Sequence, residues 1–352
     1  MADRTRPPYG RNFATFKGQP ARNIDQMQSN GVGSAVNGHV HVPVSKSPVL
    51  FLIFNRVGPA LEVFQAIRNA RPPRLYIASD GPRDGRDAER TIVEELRQRV
   101  TGMVDWPCEV KTLFREKNLG CKEAVSGAIT WFFDHEQQGI ILEDDCLVSP
   151  TFFPFCDELL DKHADDPTVG GIAADFRPLK SNRPNNEYGR ISYAMIWGWA
   201  TWRRVWKQYD PTIARWNGDP KSLPRIAGKR ERTQEYMKAV FDAVKEGRID
   251  TWDYQFVHLC LDKGMDFLHP FVNMISNLGF DGDATHTTYG DDINARLPTK
   301  DVRFPLIGPV QDKFYENWLD RRVFSDRELH VRAFQRLQHW IHRRLNISTR
   351  RI

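Results

Sequence analysis

The feature that most constrains the fold is a strand–helix alternation with four predicted strands before residue 146. Four short, largely apolar segments are predicted as strands, and segments with apolar residues at helical spacing separate them. The predicted strands are 49–54, 75–78, 109–114 and 139–142. Strands buried on both faces are typical of parallel sheets, whose crossovers are right-handed. The sequence therefore predicts an α/β fold, with a mostly parallel sheet that helices cover on both faces.

The fourth predicted strand ends in an acidic motif, Glu143-Asp144-Asp145. Three adjacent carboxylates at the tip of a buried strand repel one another unless solvent or a cation lies among them. In an open α/β sheet, ligands bind at the carboxyl ends of the strands. The motif therefore predicts a divalent-metal site that holds a phosphate-containing ligand. A solvated surface cluster is the alternative, since acidic triplets are common on surfaces.

Composition and motifs disfavour several functional classes. The formal net charge is only +5, so charge alone does not indicate nucleic-acid binding. The five cysteines include no CxxC pair, which disfavours a zinc site or a disulfide framework and favours a reducing compartment. No GxGxxG follows the first strand, and no Walker A motif occurs. No apolar run reaches the roughly 18–20 residues of a transmembrane helix, and the N-terminus lacks a signal-peptide core, so we expect a cytoplasmic protein.

The chain is predicted to have three parts. Residues 1–46 are rich in Gly, Asn, Arg and Gln without a sustained apolar period, which predicts a flexible tail. Residues 47–290 form the main domain, in which the polar segment 175–189 is predicted as a mobile loop. Residues 291–352 form a C-terminal extension. Its residues 326–345 predict a basic amphipathic helix, which either packs on its own domain or makes a peripheral contact with the inner face of a membrane.

A family resemblance rests on the run from Ile141 to Phe153. This run resembles the acidic motif of GT-A glycosyltransferases, and it is most similar to the N-acetylglucosaminyltransferase I type. In that type an apolar stretch, a proline and paired phenylalanines follow the acidic triplet, as they do here. Further stretches agree in order between about residues 48 and 279: Phe54-Asn55-Arg56, Ser79-Asp80, Trp197-Gly198-Trp199 and Trp252-Asp253.

The resemblance implies that residues 47–290 form a GT-A (Rossmann-like) catalytic domain. It implies an inverting, metal-dependent transferase that moves a sugar from a nucleotide-diphosphate donor, expected to be a UDP-sugar, to a hydroxyl acceptor. The acceptor would be a carbohydrate or a glycolipid. A cytoplasmic enzyme that builds a surface glycan fits these expectations best.

The resemblance also implies roles for five donor-side residues. Asp145 would coordinate Mn²⁺ or Mg²⁺, which bridges the diphosphate. Asp144 would lie near the ribose, and Glu143 near hydroxyls of the donor sugar. Asp80 would contact uracil, and Arg56 would contact the nucleotide or its phosphates.

On the acceptor side, the resemblance makes Asp253 the general base. A charge at a helix N-terminus is the alternative interpretation, because aspartate is common in first helical turns. Glu246, Asp250 and Asp262 are nearby competitors for the role of base.

Three more residues are candidates with open alternatives. His286 would supply a late metal ligand, or it would be a hydrogen-bonded loop residue. Trp197 and Trp199 could stack on a sugar acceptor through their flat apolar faces, or they could pack in the core.

Two other functions stay open. A sugar nucleotidyltransferase shares the sheet and the metal, but it usually needs a glycine-rich, basic loop after the first strand. Residues 55–59, Asn-Arg-Val-Gly-Pro, are a poor version of such a loop. A non-catalytic carbohydrate-binding protein could also keep the fold.

Overall fold

The computed structural model describes residues 44–279 and 296–324. His286, the predicted helix over 326–345 and the predicted tail up to residue 43 lie outside these ranges. The boundaries of the three predicted parts stay predictions.

The four predicted strands and the three helices between them are present in the order that the sequence indicates. All five residues of the first strand are buried, which explains its continuous apolar sequence. The elements are β1 (Val49–Ile53), α1 (Val57–Ala70), β2 (Arg74–Ser79), α2 (Asp87–Gly102), β3 (Glu109–Phe114), α3 (Gly120–His135) and β4 (Gln138–Glu143).

The rest of the described chain adds seven strands and five helices, with a 3₁₀ turn at Pro220–Ser222. They are β5 (Cys146–Val148), α4 (Phe152–Lys162), β6 (Val169–Ala173), β7 (Glu187–Ile191), β8 (Trp199–Trp202), α5 (Arg203–Trp206), α6 (Glu231–Lys245), α7 (Asp253–Lys263), β9 (Asp266–Pro270), β10 (Ile275–Asn277), β11 (Ile307–Gln311) and α8 (Lys313–Arg322).

Nine of these strands form one sheet, in the order β11-β7-β9-β6-β8-β4-β1-β2-β3. β1 lies between β2 and β4 and pairs in parallel with both. β8 runs antiparallel between β4 and β6, so β6 points in the same direction as β4. The remaining two strands, β5 and β10, form a small antiparallel pair. The predicted α/β class, with a mostly parallel Rossmann-like sheet, is confirmed.

Helices cover both faces of the sheet, as predicted. The ring of Trp199 packs against Phe256 of α7, with a centroid separation of 4.9 Å. Three residues later in β8, the indole N–H of Trp202 donates to the carbonyl of Leu160 in α4 at 3.0 Å. Because successive side chains of a strand alternate between faces, α7 and α4 lie on opposite sides of the sheet.

One prediction about the fold is wrong at the C-terminal end of a segment. Part of the segment 175–189, expected to be a mobile loop, belongs to strand β7, which pairs antiparallel with β9 and parallel with β11. The sequence of β7, Glu-Tyr-Gly-Arg-Ile, contains two charged residues and a glycine and therefore has no apolar run that predicts a strand. A Cβ at Gly189 would lie 2.5 Å from Nε2 of His269, so this close approach requires glycine.

Beyond residue 295, β11 joins the edge of the same sheet and α8 packs against it. Across the ranges that the structure describes, no helix has the length and apolar character needed to cross a bilayer.

Candidate functional site

Parallel pairing brings the carboxyl ends of β1, β2 and β4 to one edge of the sheet. Leu52 pairs with Glu143, and Ile53 pairs with Ser79. The residues that follow each strand therefore meet at this edge, where open α/β sheets bind ligands.

Arg56 bridges two carboxylates of the acidic motif. Its Nη1 lies 2.8 Å from Oδ2 of Asp145, and its Nη2 donates to Oδ1 of Asp144. The backbone N–H of Phe54 donates to the other oxygen of Asp144 at 3.2 Å. The short connection from β1 to α1 is thus fixed to the end of β4.

The charges of this cluster do not balance. If all four groups were ionised, the three carboxylates of Glu143, Asp144 and Asp145 would exceed the one guanidinium of Arg56 by two negative charges. Burial raises the pKa of Glu143 to about 8, and the neighbouring carboxylates raise it further than Arg56 lowers it. Burial also raises the pKa of Asp144 to about 6, although Arg56 opposes this. A divalent cation would supply the missing positive charge.

The donor set suits a cation that is shared with phosphates. Among residues 44–279 and 296–324, no three His, Cys, Asp or Glu side chains are arranged to hold a metal ion. Mg²⁺-type sites commonly use one or two carboxylates together with substrate phosphates, so a cage of protein ligands is not required. Asp145, which retains 12 % side-chain exposure, is the carboxylate that fits this role. His286, the other predicted ligand, lies outside the described residues.

Gly279 closes over the acidic motif, and sequence reasoning did not identify it. A Cβ at this position would lie 2.2 Å from Oδ2 of Asp145 and 2.8 Å from Nη1 of Arg56. The backbone N–H of Leu278 also donates to the carbonyl of Asp145 at 2.8 Å. The backbone after β10 therefore packs directly on the Arg56–Asp145 ion pair.

Substitution of Gly279 by alanine is expected to displace the Asp145 carboxylate. If Asp145 holds a metal, Mn²⁺-dependent UDP binding should weaken roughly 10–100-fold, the usual loss when a group that orients a ligand is removed. Calorimetry with and without Mn²⁺ measures this. Gly58→Ala is the matched control, because nothing lies within 4 Å of a Cβ there. Equal affinities for the two variants would contradict the expectation.

Asp80 has a structural role that the sequence did not reveal. It follows β2, and its carboxylate accepts the backbone N–H groups of Gly81 at 2.9 Å, Leu119 at 3.0 Å and Gly120 at 3.2 Å. Burial raises the pKa of Asp80, although these N–H groups oppose the rise. Asp80 thereby fixes the turn that begins α3. The predicted contact with uracil stays a prediction.

Four carboxylates converge on Cys121, the second residue of α3. Burial raises the pKa of this thiol, and Glu143, Asp253, Asp250 and Asp80 each raise it further. This set joins the end of β4, the start of α7 and the turn after β2. Three of the predicted donor-side and acceptor-side residues, Glu143, Asp80 and Asp253, therefore lie in the neighbourhood of the start of α3.

Asp253 is the first residue of α7. Its Oδ1 accepts the N–H of Tyr254 at 2.8 Å and the hydroxyl of Thr251. This placement matches the helix N-terminal alternative. It also puts Asp253 close enough to Glu143 to raise the pKa of that carboxyl, and the role of base stays a prediction.

Two of the three competitors for the role of base are engaged by arginines. Glu246 pairs with Arg248, and Asp262 pairs with Arg215 at 2.8 Å. The third, Asp250, lies beside the start of α3. A Cβ at Gly120 would lie 2.9 Å from Oδ2 of Asp250.

The two predicted acceptor-side tryptophans differ in their surroundings. Trp199 is 1 % exposed and stacks on Trp252 with a centroid separation of 5.7 Å, which corresponds to the core-packing alternative. Trp197 is partly exposed, and the guanidinium of Arg177 lies 4.3 Å from its ring centroid. Of the pair, Trp197 has a surface that an acceptor could reach.

Removal of the Arg56 guanidinium is expected to destabilise the protein, and more strongly at high pH. Breaking a buried ion pair from one side costs about 3–5 kcal/mol, and Arg56→Met leaves Asp144 and Asp145 facing each other. The folded pKa of Asp144 already lies above its ordinary value of 3.8, and it rises further without Arg56. A raised carboxyl pKa means that the folded state holds a proton which the unfolded chain has lost. The stability lost in the variant therefore grows as pH rises above about 6, the folded pKa of Asp144 in the wild type.

Urea unfolding of Arg56→Met and wild type in EDTA, at about pH 5 and about pH 8, measures the difference. We expect the larger loss of unfolding free energy at the higher pH. A loss that is the same at both pH values would show that the acidic motif does not depend on Arg56 for its charge balance.

Comparisons with solved structures reveal distant likenesses. No protein-family model and no curated protein matches the chain. A crystal structure of UDP-glucose pyrophosphorylase complexed with UDP-glucose matches with 10 % identity and a TM-score of 0.35, over 66 % of this chain and 92 % of that chain. The crystal structure of HddC from Yersinia pseudotuberculosis matches with 12 % identity and a TM-score of 0.27, over 46 % and 80 %. Likenesses this distant do not indicate an activity, and neither supports the finer similarity to the N-acetylglucosaminyltransferase I type.

Proposed function

We propose that the chain is an inverting, metal-dependent glycosyltransferase of GT-A type that uses a nucleotide-diphosphate sugar, most simply a UDP-sugar. The observation that carries the proposal is the uncompensated acidic cluster at the end of β4, with Asp253 close to Glu143 at the same sheet edge. A divalent cation would balance the excess negative charge of the ionised cluster, and a cation with few protein ligands suits a diphosphate.

Donor binding is assigned to the cluster and its neighbours. Asp145 would hold Mn²⁺ or Mg²⁺ together with the donor phosphates, and the bound cation would stabilise negative charge on the departing nucleotide as a Lewis acid. Asp144, oriented by Arg56 and the N–H of Phe54, would lie near the ribose. Glu143 would contact donor hydroxyls, and its raised pKa suits a carboxyl group that can donate as well as accept.

Transfer is assigned to Asp253. Its carboxylate would accept the proton of the acceptor hydroxyl while the acceptor oxygen bonds to the anomeric carbon. The bond between that carbon and the phosphate oxygen breaks, and the nucleoside diphosphate leaves with the bonding electron pair. Because attack and departure occur on opposite faces of the sugar, a single displacement inverts the anomeric centre.

The connection after β1 favours this function over a nucleotidyltransferase. Only residues 54–56 separate β1 from α1, and Arg56 is held by Asp144 and Asp145. This leaves no long glycine-rich loop to wrap a triphosphate. The hydroxyl acceptor, a carbohydrate or a glycolipid, and the cytoplasmic location belong to the same proposal.

Product analysis tests the proposal. The protein is incubated with a panel of nucleotide sugars in Mn²⁺ or EDTA, and separately with UTP and sugar 1-phosphates. We expect slow release of UDP from one UDP-sugar in Mn²⁺ only, because water can replace the absent acceptor. Release of pyrophosphate from UTP would identify a nucleotidyltransferase, and binding without any product would favour a non-catalytic carbohydrate-binding protein.

A further inference from the structure

Helix α8 presents an outer face of aromatic and basic side chains. Phe314 is 61 % exposed, the highest value among the large apolar side chains that the structure describes. A surface groove of about 410 Å³ runs along this face. We define the α8 outer face by Lys313 and the residues that line the groove: Phe314, Asn317, Trp318, Arg321 and Arg322.

The acidic residues of α8 do not belong to this face. Glu316 accepts the N–H of Ser192 at 2.9 Å and pairs with Lys229. Asp320 accepts the hydroxyl of Tyr193 and lies 3.7 Å from the same lysine. Their side chains are 13 % and 6 % exposed. Both negative charges are therefore turned inward and compensated, and the outer face carries positive charge only.

The chain that follows α8 has the same sign of charge. Residues 325–352 contain seven arginines against two acidic residues, Asp326 and Glu328, and no lysine. The net +5 of this segment equals the formal net charge of the whole chain, so the rest of the sequence is neutral overall. This segment follows α8 in the sequence after only two residues, so the part of the chain that begins with α8 carries a surplus of positive charge.

We propose that the α8 outer face docks on the surface of an anionic lipid bilayer. Phenylalanine and tryptophan beside lysine and arginine, on one face of a helix, are the side chains that interfacial helices use. The exposed ring of Phe314 and the apolar groove favour lipid over a purely polyanionic partner. A chain of phosphates would pair with the arginines but would not cover the ring.

The inner face of α8 connects this surface to the candidate site. The ring of Tyr315 packs on Phe176 with a centroid separation of 4.9 Å, and its hydroxyl accepts the N–H of Arg177 at 3.4 Å. Phe176 and Arg177 follow β6, whose carboxyl end points to the same sheet edge as the acidic motif. Docking through α8 would hold that edge near the lipid surface. The inference does not depend on the proposed activity.

Vesicle flotation of the full chain tests the inference. The vesicles are phosphatidylcholine alone, or phosphatidylcholine with about 30 % phosphatidylglycerol to give an anionic surface. We expect binding to the anionic vesicles only. Arg321→Glu/Arg322→Glu should weaken that binding roughly 25-fold or more, since each basic residue near such a surface contributes about five-fold. Phe314→Ser should also weaken it, while leaving binding to heparin unchanged.

The matched control reverses the charge of two exposed arginines on another helix, Arg90→Glu/Arg99→Glu in α2. It should bind anionic vesicles like the wild type, and circular dichroism should show that every variant is folded. Three results would each overturn the proposal: no binding of the wild type to anionic vesicles, equal losses for the α2 and α8 variants, or full vesicle binding by Phe314→Ser.

Discussion

Asp145→Asn is expected to abolish the dependence of UDP binding on Mn²⁺. Asparagine keeps the size of the side chain but loses the negative charge that attracts the cation, and its amide replaces one of the two carboxylate oxygens. Affinity in Mn²⁺ should fall roughly 100-fold or more, because even groups that only orient a metal ligand are worth about 10–100-fold. Calorimetric titration with UDP, in Mn²⁺ and in EDTA, measures the change.

Glu123→Gln is the control for this substitution. Glu123 is exposed and lies in the first turn of α3. Its substitution removes one carboxylate that does not belong to the acidic motif. We expect it to bind UDP like the wild type. Unchanged Mn²⁺-dependent affinity in Asp145→Asn would refute the metal assignment, provided that its thermal unfolding resembles that of the wild type.

Asp253→Asn is expected to remove sugar transfer and to leave UDP binding intact. An amide at this position cannot take the proton of the acceptor hydroxyl, and a general base contributes typically about 10²–10⁴-fold. Asparagine can still accept the N–H of Tyr254 through its side-chain oxygen, so the start of α7 should keep its structure. Turnover of the UDP-sugar that the product screen identifies, together with UDP calorimetry, separates the two effects.

Asp250→Asn is the matched control, because Asp250 lies in the same group of carboxylates around Cys121. If Asp253 is the base, the Asp250 variant should retain most of its turnover. Near-normal turnover of Asp253→Asn, with loss in Asp250→Asn, would transfer the role of base to Asp250.

The fold was largely predictable because the central strands are buried on both faces. The five residues of β1 are buried and apolar, and such a continuous apolar run is typical of a buried parallel strand. β7 could not be predicted in the same way. Its buried positions include Gly189. The close approach of His269 requires glycine at this position, although glycine is unfavourable in strands. Contacts of this kind depend on partners some 80 residues away.

The candidate site was predictable where it follows strand ends. The carboxyl ends of parallel strands lie at the same edge of a sheet. The sequence alone therefore predicts that Glu143, Asp80 and Arg56 lie close together. The pairing of the side chains could not be predicted from the sequence. Nothing in the sequence indicates that Arg56 bridges Asp144 and Asp145, or that the backbone of Gly279 packs on that pair.

Aromatic side chains were the least predictable part of the site. Trp197 and Trp199 are two residues apart and carry the same side chain, yet one is partly exposed and the other 1 % exposed. Gly198, with φ of +57°, turns the chain between them. Residues from distant parts of the sequence surround Gly198, because a Cβ there would lie 3.1 Å from Val148 and 3.2 Å from Ile275.

The most direct measurement is the anomalous scattering of manganese in crystals grown with Mn²⁺ and UDP. If the acidic motif binds a metal-bridged diphosphate, an anomalous peak should lie within coordination distance of the Asp145 carboxylate, with the UDP phosphates on its other side. Ordered UDP at this sheet edge with no peak beside Asp145, or a peak bound elsewhere on the protein, would contradict the account.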